Sequence, residues 1–179
     1  DILTITVSGL ISNNIAAQDG LTFTNGITLN LFLDGIPYRL TDTVDAQIRE
    51  PVLIIEKVAS PTTVRPGDVI FYSVRVYHAV TSTAIAYNVV ISDILPAGIG
   101  YVDGTWPTDN MPPALAATGT YSEVGDTLEA YFPVISQTVT LSNPLVLTFE
   151  AVARVTDTPG SLITNVVTTT WTSIPTNPD

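Results

Sequence analysis

The chain has 179 residues, with 17 Asp+Glu against 6 Lys+Arg, a formal net charge of −11, one His and no Cys. Six scattered basic side chains in so acidic a chain assemble no phosphate-neutralising patch, which excludes nucleic-acid binding. The Cys and His counts exclude a Cys/His zinc site, an iron–sulfur cluster, a thiol nucleophile and a disulfide framework.

Apolar residues make up 45% of the chain and charged residues 13%, a balance for a packed core rather than disorder. No apolar run approaches the roughly 18 residues of a membrane-spanning helix. Thr is used heavily, which suits half-exposed strand faces because it is β-branched and polar at once.

In chain order, Leu3–Leu10 alternates Leu3, Ile5 and Val7 against Thr4, Thr6 and Ser8, a strand pattern. Leu21–Leu33 is a longer alternating run, broken by Gly26. Thr43–Arg49 is the best helix candidate, but it is short and Pro51 stops it, so little or no helix is expected. Val52–Val58 is apolar on both faces. Asp68–Val80 sets Val69, Phe71 and Ser73 against Ile70, Tyr72, Val74 and Val76. Ala84–Ile94, Leu128–Val134, Leu145–Val155 and Leu162–Trp171 complete the strands. Turn signals separate them, among them Pro66-Gly67-Asp68, Asp103-Gly104, Gly125-Asp126 and Pro159-Gly160. Short strands at this spacing predict an antiparallel β-sandwich rather than a parallel sheet.

An internal repeat sets the domain boundaries. Leu3–Ile11 followed by Leu21–Leu29 matches Leu145–Val155 followed by Ser161–Thr169 in pattern, each with Thr-Asn in its second strand. Residues 1–50 therefore read as the last strands of a partial sandwich plus a linker, and 51–179 as a complete sandwich with a C-terminal tail. The junction Ile48-Arg-Glu-Pro51 suits a linker.

An ordered series of short motifs runs through the second part. It comprises Glu50-Pro-Val-Leu-Ile-Ile-Glu-Lys57, Arg65-Pro-Gly-Asp-Val-Ile-Phe-Tyr72, Ala86-Tyr-Asn-Val-Val-Ile-Ser-Asp93-Ile-Leu-Pro96-Ala-Gly98, Tyr101-Val, Ile163-Thr-Asn165 and Trp171-Thr-Ser. Together they resemble the prokaryotic surface repeat called domain of unknown function eleven, in full over about 52–174 and as the end of a preceding copy over about 1–35. The resemblance implies an Ig-like, Greek-key sandwich repeated in tandem in secreted or cell-surface proteins, with no enzymatic activity.

Lys57 is the sole lysine. Strand alternation places it on one face with Leu53 and Ile55, Asp93 with Val89 and Ile91, and Asn165 with Ile163 and Val167. All three can point inward. A buried Lys, Asp and Asn on first, middle and last strands is what a spontaneous Lys–Asn isopeptide bond needs: burial favours the neutral amine, and the carboxyl shuttles protons. Such bonds resemble those of Gram-positive pilin and adhesin domains. The alternative for the same residues is a Lys57–Asp93 ion pair with Asn165 bonded to the backbone. Asp93 ahead of Pro96 also reads as a turn residue.

Acidic clusters at Asp34–Asp45, Asp103–Asp109 and Glu123–Glu129 admit surface Ca²⁺, but no spacing resembles a 12-residue calcium loop, and a solvated acidic face is the expectation. No other cofactor is expected. His78 reads as a surface or loop histidine, and Trp106 and Trp171 as core or rim anchors, with a carbohydrate platform near Trp106 and Pro112-Pro113 as an alternative.

The sequence thus points to a structural subunit of a filament or stalk, partnered by copies of itself, with no small-molecule substrate. Assembly would run head-to-tail through strand complementation. Its expected inter-subunit residues are Leu3, Ile5, Val7, Leu21, Phe23, Ile27 and Leu29, with Ile174 in the tail. The alternative is an adhesin or glycan-binding surface module.

Overall fold

The computed structural model describes residues 4, 6, 8, 20–106, 108–110, 119–154 and 160–175. The chain divides into two compact units, Asp1–Glu50 and Pro51–Asp179. Every element of regular structure among the described residues is a strand.

The described residues of the first unit form an antiparallel hairpin, β1 (Thr22–Leu33) and β2 (Ile36–Gln47), in register from Thr22↔Gln47 to Leu33↔Ile36. Its turn is Asp34-Gly35, with φ of 51° and 79°. Two successive positive φ values make the two-residue turn whose twist matches the flanking strands, and Asp-Gly tolerates them. Of the stretch Thr43–Arg49, read above as the best helix candidate, Thr43–Gln47 is strand. Side chains alternate across a strand. Phe23, Ile27, Leu29 and Leu33 therefore share one face with Val44, Leu40, Tyr38 and Ile36, while Thr22, Thr24, Thr28, Asn30, Thr41, Thr43 and Asp45 take the other. The Leu3–Leu10 strand expectation falls largely outside the described residues.

The second unit is an antiparallel sandwich. One sheet runs β3 (Leu53–Ser60), β4 (Val69–His78), β10 (Leu145–Ala153), β6 (Ile99–Tyr101), with β7 (Thr108–Asn110) also on β10. The other runs β11 (Val167–Thr172), β5 (Ala86–Ile94), β9 (Thr127–Ile135), β8 (Thr120–Val124). The chain passes repeatedly from one sheet to the other, so first and last strands lie at the edges of opposite sheets.

Period-2 alternation builds the core. Ile70, Tyr72, Val74 and Val76 of β4, with Leu145, Leu147, Phe149 and Ala151 of its neighbour β10, face Val89 and Ile91 of β5 and Leu128, Ala130 and Phe132 of β9. The alternation of β5 slips at Asn88, whose φ is 50°, in a conformation asparagine tolerates better than most residues. The Asn88 amide donates to Thr172 Oγ1 at 2.9 Å and accepts from the Tyr131 hydroxyl at 3.1 Å, which pins the kink. The Arg65–Asp68 turn forms as its sequence requires: Gly67 takes a φ of 91°, and the Asp68 carboxylate accepts from the Arg65 N–H at 2.7 Å.

One sequence expectation is corrected here. His78 is buried, not exposed. It ends β4, where its Nδ1 meets Ser82 Oγ at 2.7 Å and its Nε2 meets the Ile135 carbonyl at 3.0 Å. That carbonyl accepts, so Nε2 carries the proton, and Ser82 donates to Nδ1 while accepting from the Val52 N–H at 3.0 Å. Trp106 is a core residue, packed edge-on against Phe149 at 5.7 Å between ring centroids. Its indole N–H donates to the Glu129 carbonyl at 3.2 Å, so its ring is not free to act as a carbohydrate platform.

Candidate functional site: a buried lysine, aspartate and asparagine between the sheets

β3 carries Lys57 inward because Leu53 and Ile55 on the same face must be buried. β5 carries Asp93 inward in phase with Val89 and Ile91. The two meet between the sheets: Lys57 Nζ donates to Asp93 Oδ2, with side-chain exposures of 10% and 1%. Asp93 thus does not serve as a turn cap. Its second oxygen, Oδ1, is buried without a hydrogen-bond partner.

Asn165 arrives from the other side. It precedes β11, in phase with Val167, whose Cα partner on β5 is Asp93. Its amide lies beside the Asp93 carboxyl and the Tyr72 hydroxyl, where it works against the rise in both pKa values. Yet both amide atoms are buried and neither makes a hydrogen bond of good geometry. An uncompensated buried amide costs on the order of 1–3 kcal/mol. Thr169 Oγ1, on the same face of β11, is a further buried hydroxyl without a partner.

The surroundings are aromatic. Lys57 Nζ sits 4.8 Å from the Tyr72 ring centroid and 5.6 Å from that of Phe149. The two rings stack at 4.9 Å with 19° between their planes. Burial pushes the Lys57 ammonium below its ordinary range, against the opposing pull of Asp93. Burial pushes the Asp93 carboxyl up, against Lys57. Both shifts narrow the gap between the two groups and so lower the cost of passing one proton from lysine to aspartate.

That arrangement has a defined chemistry. The neutral Lys57 amine can attack Asn165 Cγ. Asp93 takes a proton from Nζ and delivers one to Nδ2. The Cγ–Nδ2 bond then breaks and ammonia leaves. One amide forms, one ammonia departs, and Asp93 ends protonated.

The remaining sequence-predicted residues lie elsewhere. Leu21, Phe23, Ile27 and Leu29 are exposed on the hairpin, the last two by more than half. Leu3, Ile5 and Val7 fall outside the described residues, although Thr6 lines a shallow open groove with Asn25, Ile27, Asp42 and Val44. Ile174 is exposed, and its carbonyl accepts from Thr172 Oγ1 at 2.7 Å. Among the described residues no three His, Cys, Asp or Glu side chains gather as a metal would require, and no helix is long and apolar enough to cross a membrane. Sequence reasoning missed Tyr72 as a site residue. Its in-phase position with Val74, across from the β3 segment that carries Lys57, was the available signal.

No family model and no curated protein matches the chain. Among solved structures it is similar to the collagen-binding domain of the Erysipelothrix rhusiopathiae surface protein RspB, with 17% identity and a TM-score of 0.46 over 83% of this chain and 49% of that one. It is also similar to the T6 backbone pilin of serotype M6 Streptococcus pyogenes, with 15% identity and a TM-score of 0.42 over 72% of this chain and 30% of that one. The chain therefore spans half or less of the length of each of these structures.

Proposed function

We propose that this chain is a non-catalytic structural module of a secreted or cell-surface filament or stalk, hardened by an internal Lys57–Asn165 isopeptide bond. The observation that carries this reading is the buried trio. A covalent tie between the first and last strands of a sandwich does nothing for turnover of an outside substrate. It does resist separation of those strands under tension, which is the demand on a stalk.

The hairpin of the first unit supplies the means of assembly. The two strands that the described residues of the first unit form are marginal in water on their own, and an apolar face of this length calls for a further layer or strand. Complementation by a strand of a like subunit satisfies both and propagates head-to-tail.

Intact mass and electron microscopy test the two parts separately. A deficit of about 17 Da against the sequence mass, absent in Lys57→Ala, supports the bond. Full mass in the folded wild type ends it. Regular fibres with a subunit-sized repeat support strand complementation, and a dispersed monomer at high concentration removes it.

A further inference from the structure

Edge pairing alone leaves the apolar face of the β1–β2 hairpin in water, so assembly has to lay something on that face. Eight of its apolar side chains, from Phe23 to Val44, are 45% to 66% exposed. Thr6 lines a groove there, yet Ile27 and Val44 beside that groove are still 58% and 66% exposed. At on the order of 100 Å² each, the eight offer roughly 800 Å², about one partner's share of a stable interface.

The order of side chains along β2 says what fits. Tyr38, Leu40 and Asp42 share the apolar face, with the phenol and the acid two residues to either side of Leu40. The same three rows hold Leu31, Leu29 and Ile27 on β1. A second hairpin, turned over about a two-fold axis across the strands at the Leu29–Leu40 row, lays each β2 on the other in the opposite direction. Leu40 then meets its own copy, and each Tyr38 meets Asp42 of the partner subunit.

Resting on the filament reading above, we propose that this face binds the same face of a second copy of the chain. The two-fold pair is the unit from which the filament is built, and each Tyr38 hydroxyl donates to Asp42 of the partner subunit.

The face is self-complementary in chemistry as well as in shape. Asp42 carries its one charge, and the facing phenol supplies a donor to it. One Asp42 oxygen is engaged locally, Oδ1 accepting from the Thr43 N–H at 2.9 Å, and Oδ2 is the acceptor for the partner. Facing sheets stand about 10 Å apart, a gap that a tyrosine and an aspartate side chain span together. β2 is an edge of the hairpin, so both carboxylates lie at the rim of the pair, where desolvation is partial. The opposite face, with Thr24, Thr28, Thr41 and Thr43, stays wet. Both strand edges stay open for the complementation that joins one pair to the next.

The chain has no Cys, so single cysteines report on the pair. A short bis-maleimide is applied to the full chain carrying Leu40→Cys, Thr41→Cys, Tyr38→Cys or Asp42→Cys, and covalent dimers are read on a denaturing gel. Leu40→Cys should link to its own copy, and Thr41→Cys, on the wet face, should not. Tyr38→Cys and Asp42→Cys should link far better mixed than alone. A head-to-tail contact on this face would bring unlike positions together and leave Leu40→Cys unlinked. No dimer from Leu40→Cys, or an equal yield from Thr41→Cys, overturns the proposal. Electron microscopy of the same samples separates the two readings. Fibres without a Leu40→Cys dimer overturn the pair and leave the filament standing. A Leu40→Cys dimer without fibres upholds the pair and removes the filament.

Sedimentation of the unlabelled chain supplies a second measurement, free of any cysteine. Below the concentration at which fibres grow, the wild type should run at twice 19.1 kDa, and a monomer at every concentration overturns the proposal. Tyr38→Phe keeps the ring and removes two hydrogen bonds per pair, so dissociation should become at least about tenfold easier. An unchanged dissociation constant overturns the Tyr38–Asp42 contact and with it the axis at Leu40. Tyr38 and Leu40 are 45% and 59% exposed, so none of these changes reaches the core of the sandwich unit.

Discussion

Trp171, on the last strand, donates its indole N–H to the carbonyl of Pro51, where the sandwich unit begins, at 3.1 Å. The residues at which the chain enters and leaves the unit are therefore clasped by a hydrogen bond, near where β3 and β11 meet. Trp171→Phe keeps most of the apolar ring and removes the donor. It should cost about 1 kcal/mol, more if the Pro51 carbonyl is left dry. Denaturant unfolding of the Lys57→Ala background measures it without the covalent tie, and an unchanged midpoint would show that water replaces the indole at no cost.

The buried ion pair makes an asymmetric prediction. Removing Asp93 strands a lysine in an aromatic pocket, and breaking one side of a buried pair typically costs about 3–5 kcal/mol. Lys57→Met instead leaves an acid that burial already drives toward its neutral form. Asp93→Ala should therefore destabilise more than Lys57→Met near neutral pH. Neither should cross-link. Equal melting temperatures would argue that the pair is far wetter than its exposure indicates.

Lys57→Met should also acquire a pH dependence of known sign. Asp93 then keeps the burial that raises it and loses the lysine that lowers it, so its folded pKa stands above the ordinary 3.8 of the unfolded chain. Below 3.8 both states hold the proton and no penalty exists. As pH rises through that value the unfolded chain releases its proton first, and stability falls until the folded pKa is reached. Melting temperature in this variant should drop between pH 4 and 7 relative to wild type. A flat difference across that range would contradict the assignment.

Asp126 has the opposite sign. Arg154 pairs with it through two contacts of 2.8 and 2.9 Å, and the Tyr101 N–H donates to it at 3.1 Å. The Arg154 hydrogen bond foremost holds its carboxyl below 3.8. Its contribution is present above 3.8 and is lost as pH falls through the folded value. Both side chains are a third or more exposed, so screening limits the pair to less than about 1 kcal/mol. Asp126→Asn should lower stability slightly at pH 7 and converge with the parent in acid. A gap that persists at pH 2 would point to packing instead.

How much of this was legible follows from where each signal is local. The sandwich strands were readable because buried and exposed positions alternate along them, as in Val69–Val76, and that phase alone turned Lys57, Asp93 and Asn165 inward. β2 is hard to read from the sequence because Asp42 interrupts the apolar phase Ile36, Tyr38, Leu40 and Val44, and Pro37 argues against a strand. The Asp34-Gly35 pair was the local cue that could have restored it. His78 was misjudged because its partners, Ser82 and the Ile135 carbonyl, come from a turn and from a strand far along the chain. Tyr72 is legible only as a member of the alternating β4 run, because its neighbour Asn165 comes from the segment leading to β11 in the opposite sheet.

The apolar hairpin face gives the assembly reading a direct test. Leu29 and Leu40 are Cα partners at mid-hairpin, each more than half exposed. Leu29→Lys places a charge where a complementing layer would have to desolvate it, at a cost of several kcal/mol. Fibres, if they form, should vanish in this variant, while the intact-mass deficit and the melting of the sandwich unit stay as in the parent. Fibres that persist would move the contact to the polar face or the strand edges.

A cross-link from Lys57 to Asn165 has a mechanical signature that no ion pair can imitate. Tension applied at the two ends of the sandwich unit would pass from β3 through the new amide directly into the segment leading to β11. The chain between the two residues would carry no load. That hidden stretch, fully extended, amounts to roughly 38 nm at about 3.5 Å per residue. Single-molecule extension of the wild type should therefore stop short of the extension of Lys57→Ala by about that length. Equal extensions would mean that the lysine and asparagine never joined, and the resistance of the module to force would then rest on its hydrogen bonds alone.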